Sequence, residues 1–226
     1  MPTPATPVEP SNPSNPDQRN AGLDHPRALD ILTTEHWSLL STRTLGYQEM
    51  FGRATIFVAV LSGTIIALAL LAQATHFGRE TLLFALVLFS VTLFIGLATF
   101  VRSVEINYED ARWLEGMNLL RRAYLQIVPE LEPYFIAHHE LGADRMSLAH
   151  GLPQRRRNLA KSLTTTSSVV AALNSVLAGS LASDVGAVAG GGLMRDLAIG
   201  AVVSVASGML HVRYAALFRK SHASVD

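Results

Sequence analysis

Five side chains capable of acid–base or metal chemistry gather in one stretch: His138, His139, Glu140, Asp144 and His150. Imidazole and carboxylate hold zinc when three or four converge, which on a helix requires ligands three or four residues apart. Adjacent histidines project to different faces, and no HExxH or equivalent spacing is present, so the cluster reads as a hydrated loop. Just beyond it, Arg155, Arg156, Arg157 and Lys161 form a basic segment suited to lipid headgroup contact, at about 1 kcal/mol per cation near an anionic surface. Asn174 is the most polar side chain of a long uncharged stretch. With Ser175, Gly179, Ser204 and Gly208 it either bridges closely packed helices or lines a polar path. His211 stands near the end of another such stretch, as an interfacial histidine or a protonation switch. The chain has no cysteine, which removes thiolate nucleophiles, thiolate metal ligands and disulfides. No GxSxG, Walker A or GxGxxG motif occurs. These residues assign no catalytic, cofactor or metal site.

The elements that position these groups are set by where charge is missing. Ala54–Phe77 and Thr81–Val101 contain no charged residue and are separated by Gly78, Arg79 and Glu80. Each is near the roughly 20 residues that cross about 30 Å of hydrocarbon as a helix. A turn this short makes them an antiparallel pair. Two further uncharged stretches, Ser162–Ser183 and Leu197–Val212, are richer in small residues. Ala171, Ser175, Gly179 and Ser183 fall on one helical face of the first. Gly200, Ser204 and Gly208 fall on one face of the second, which predicts a close-packed second hairpin joined by a flexible, glycine-rich connection. Thr55, Ala59, Gly63 and Ala67 form a comparable small-residue line on the first span. The interiors of the four stretches hold no Asp, Glu, Lys or Arg, which argues against an ion-coupled pump.

Outside the spans, Leu29, Leu32, His36, Leu40, Tyr47 and Phe51 predict one face of a helix from about Pro26 that continues into the first span. Trp113, Met117, Leu120, Tyr124, Ile127 and Leu131 repeat at 4-3-4-3-4, a seam that predicts packing along that first helix. Pro129 predicts a helix end near Val128. The division that follows is a Pro-rich disordered tail (1–23), a cytosolic helix (24–53), a transmembrane hairpin (54–101), a cytosolic helical segment with a basic loop (102–161), a second transmembrane hairpin (162–217) and a short cytosolic tail (218–226).

Net charge is zero and no basic tail is present, so nothing points to nucleic acid. Of the 18 lysines and arginines, only Arg79 and Arg195 fall in the short connections within the hairpins. The positive-inside rule then predicts both termini and residues 102–161 in the cytoplasm.

The stretches LTTEHWSLLSTRTLGYQEMFGRATIFVAVLSG and FIGLATFVRSVEINYEDARWLEGMNLLRRAYLQIVPELEPYF resemble those of a bacterial family of uncharacterised multi-pass membrane proteins. The order of cytosolic helix, two spans and long helix is similar to SLATT-type two-span effector modules. These resemblances imply a bacterial inner-membrane protein and carry no catalytic residues.

The expectation is an all-α polytopic membrane protein with four transmembrane helices in two hairpins and a cytosolic helical stalk. Its partners are membrane lipids and further copies of itself. Its expected role is a non-enzymatic oligomeric membrane assembly of channel- or pore-like type. Two alternatives stay open: a membrane-surface enzyme or lipid-handling protein using the Glu, Asp and His of 102–161, and an accessory subunit of a larger membrane complex.

Overall fold

A computed structural model of the chain describes residues 23–76, 78–135 and 165–223. Among the described residues all regular structure is helical: α1 (Ala28–Ala74), α2 (Arg79–Ile127), a 3-10 turn (Pro129–Tyr134), α3 (Thr166–Val188) and α4 (Leu193–Ala223). Each of the four α-helices is long and apolar enough to cross a membrane. The Pro-rich tail through Gly22, the His138–His150 cluster and the Arg155–Lys161 segment lie outside the described residues.

The helix ends follow from local chemistry. α1 stops at a turn in which His76 takes a positive φ of 49° and Gly78 N–H donates to the Thr75 carbonyl at 3.0 Å. The Thr75 and Thr81 hydroxyls hydrogen-bond across this turn. α2 ends one residue short of Val128, as expected where Pro129 disfavours helical geometry in the preceding residue. Thr165 caps α3, its hydroxyl accepting from Ser168 N–H. The glycine-rich connection is tighter than expected. α3 continues past Asp184 to Val188 and α4 begins at Leu193, so only residues 189–192 lie outside helix. Gly190, at φ +79°, supplies the left-handed residue that closes the turn. Asp196, 4% exposed in the first turn of α4, sits against Gly186 and Gly191, where any Cβ would strike its carboxylate.

The chain divides into two compact units, Met1–Arg43 with Arg112–Ala143 and Thr44–Ala111 with Asp144–Asp226. In the first, the beginning of α1 packs on the end of α2. The His36 and Tyr124 rings lie 5.9 Å apart, and a Cβ at Gly116 would stand 3.2 Å from Leu39. Desolvation, with Arg121 nearby, lowers the pKa of His36. Trp113, Met117, Leu120, Tyr124 and Ile127 are all at least partly buried. Leu131, past the helix end, is exposed. The α1 face differs at its ends: Leu29 and Phe51 are exposed, because a straight 3.6-residue repeat drifts off any fixed line over that length.

In the second unit, Phe57, Phe100, Val104, Val170 and Leu177 form the core, drawn from α1, α2 and α3. Mid-span, the buried Thr64 and Thr92 hydroxyls hydrogen-bond at 3.0 Å between α1 and α2. In lipid the hydrophobic effect does not drive helix onto helix, so packing and such polar links decide the register.

Candidate functional site

The small residues of α3 and α4 meet in a single seam. A Cβ at Gly179 would overlap the Ser204 hydroxyl and the Gly200 carbonyl, and one at Gly200 would lie 2.8 Å from the Gly179 carbonyl. One turn further, a Cβ at Gly208 would meet Ser175 Oγ at 3.5 Å, an ordinary contact. Ser175, Gly179, Ser204 and Gly208 therefore come together as helix contacts. Their side chains are spent on bringing two backbones close, which is what a small residue every fourth position permits.

Asn174 projects elsewhere, toward α2 and α1. It is 0% exposed, and among the described residues neither its Nδ2 nor its Oδ1 has a hydrogen-bond partner. Gly96 makes room for it: a Cβ there would overlap Asn174 Oδ1 and stand 2.6 Å from Phe57 Cε2. A buried amide without a partner costs about 1–3 kcal/mol on mutational scales. Asn174→Leu, which keeps the branched shape and removes the polar atoms, is therefore expected to raise thermal stability in detergent. A fall in the melting temperature would mean that the amide has a partner.

His211 is also buried, edge-on to Phe100 with ring centroids 4.5 Å apart. Its Nδ1 lies 2.7 Å from the Ser207 carbonyl, which can only accept, so the proton sits on Nδ1. Nε2 is buried and has no hydrogen-bond partner among the described residues.

At the base of the first two spans, α1 and α2 are tied by charge. Arg102 donates through Nε and Nη2 to the two Glu49 oxygens, each at 3.0 Å, and through Nη1 to Glu105 at 3.2 Å. Arg53 adds a 2.9 Å bond to Glu49. Tyr47 donates to Asp110 at 2.9 Å nearby. The Arg102 fork, aided by Arg53 and opposed by desolvation, holds the Glu49 carboxyl at about pKa 2. These groups are about one-third exposed, so solvent screens much of the energy, and the fork's main effect is to set register. A depressed carboxylate contributes stability that is complete above its ordinary value of 4.5 and is lost as pH falls toward 2. Arg102→Lys keeps the charge and loses the bidentate geometry. The Glu49 titration midpoint, read by infrared or NMR, should then rise toward 4.5; an unchanged midpoint would refute the assignment.

A cleft of about 360 Å³ opens between α3 and α4 near their shared turn, with Ser180, Ser183, Asp184 and Ser204 among its lining residues. Asp184 Oδ2 is buried and has no hydrogen-bond partner among the described residues. In the sequence, Asp184 marks only where an uncharged stretch stops; its inward aim depends on α3 continuing another turn. Gly96 and the Glu49–Arg102 fork are likewise visible only in three dimensions, although Arg102 is the first charge after the second span. Among the described residues no group of three His, Asp or Glu converges as a metal site. No protein-family model, no curated protein and no solved structure matches the chain.

Proposed function

We propose that this protein is a non-enzymatic, homo-oligomeric component of a bacterial cytoplasmic membrane, with both termini on the cytoplasmic side. The observation that carries the oligomer is the outer face of α1. Thr55, Ala59, Gly63 and Ala67 are all exposed, and a Cβ at Gly63 would meet nothing within 4 Å. The small residues of α3 and α4 are used within the chain, whereas this line is unused and suits the close approach of a second helix. Any channel- or pore-like path then belongs between copies, since Asn174 is enclosed within one chain by Gly96 and Phe57. The Lys and Arg asymmetry supports the orientation.

The absence of cysteine makes the test clean. A Gly63→Cys chain should form an intermolecular disulfide in membranes on mild oxidation. Ile65→Cys, exposed on a different side of the same helix, should not. Equal cross-linking at the two positions would overturn the assigned face.

A further inference from the structure

The cleft near the α3–α4 turn has an amphiphilic form. Its lining combines polar Ser180, Ser183, Asp184 and Ser204 with apolar Phe89, Val176 and Leu197. Val176 and Leu197 are 62% and 53% exposed, so the cleft opens on an apolar surface that faces acyl chains when the helices lie in a bilayer. Among the described residues Asp184 Oδ2 is buried without a partner, and an acceptor oxygen so placed is completed by a hydrogen-bond donor. Arg195 is paired with Asp196 at 3.2 Å. Among the described residues no donor reaches Asp184 Oδ2, which leaves that place open to one from outside the chain.

We propose that this cleft binds a membrane lipid with a primary-ammonium headgroup, the ammonium resting on Asp184 and the chain lying along Val176 and Leu197. A primary ammonium carries three N–H donors, and the Asp184 carboxylate with the Ser180 and Ser183 hydroxyls offers acceptors for them. A choline headgroup carries the same charge and no N–H, so it leaves the buried oxygen unsatisfied. An anionic headgroup meets the carboxylate with like charge. The site requires the helices to be in a bilayer and does not depend on assembly of copies.

The test is native mass spectrometry of the full chain with phosphatidylethanolamine, phosphatidylcholine or phosphatidylglycerol of identical acyl chains. The wild-type chain should retain phosphatidylethanolamine about tenfold better than phosphatidylcholine, the ratio expected from a charge-assisted hydrogen bond. Asp184→Asn, nearly isosteric, should bring the two to equal retention, with helicity by circular dichroism reporting that it folds. Equal retention of the two lipids by the wild-type chain, a comparison that needs no variant, would overturn the proposal. So would preference for phosphatidylglycerol, or full phosphatidylethanolamine preference in the Asp184→Asn chain. Displacement of the lipid by millimolar free ethanolamine would assign the site to a soluble amine and overturn the lipid assignment.

Discussion

Gly179→Leu is expected to separate α3 from α4 and to cost about 3 kcal/mol or more, at or above the upper end of the usual overpacking range. The obstacle is backbone as well as side chain. The added Cβ alone would overlap the Gly200 carbonyl and Ser204 Oγ, and the Gly200 backbone cannot move away without shifting α4. Gly208→Ala is the matched control on the same seam. There the new Cβ makes an ordinary 3.5 Å contact with Ser175 Oγ, so stability should stay within about 0.5 kcal/mol. Melting temperatures in detergent separate the two outcomes. Similar behaviour of both variants would show that the seam is not closely packed.

Gly96→Ala is expected to be the second most damaging change, although it adds a single methyl group. Alanine gains about 1 kcal/mol of helix propensity over glycine. Against this, the methyl would stand 2.6 Å from Phe57 Cε2 and 2.9 Å from Asn174 Cγ, both buried where little can give way. Overpacking at such a site costs about 1–3 kcal/mol, so the clash outweighs the propensity gain. Asn174→Ala on the Gly96→Ala background should recover part of the loss, because one of the two obstacles is gone. A double-mutant cycle reads this coupling directly. Strict additivity would mean that Gly96 and Asn174 do not share a contact.

These two glycines mark how far the sequence could be read. The seam at Gly179 was legible because α3 and α4 each repeat small residues every fourth position, and two such faces joined by a short connection have one obvious way to pack. The four membrane-length helices were legible from runs without charge. Gly96 was not, since it stands alone among Leu93, Phe94, Phe100 and other bulky residues of α2, and its need arises from Asn174 on a helix distant in sequence. Asp184 bounds an uncharged stretch of the sequence, and only the extension of α3 to Val188 turns it into the wall of a cleft. The Glu49–Arg102 fork depends on the register of α1 against α2, which hydrophobic periodicity leaves undetermined. Periodicity names the face of a helix and says nothing of the neighbouring residue at the same height. The outward small-residue line of α1 is an instructive case. Its pattern is the same as that of the α3–α4 seam, yet among the described residues a Cβ at Gly63 would meet nothing within 4 Å.

That unpaired face carries the account of this protein as an assembly, and the most direct measurement is the mass of the particle in lipid nanodiscs. Native mass spectrometry of the wild-type chain should give a defined multiple of the 24.4 kDa subunit, and Gly63→Leu should shift it to the single-chain mass with helicity unchanged. A wild-type particle containing one chain, across the protein concentrations found in membranes, would contradict the account.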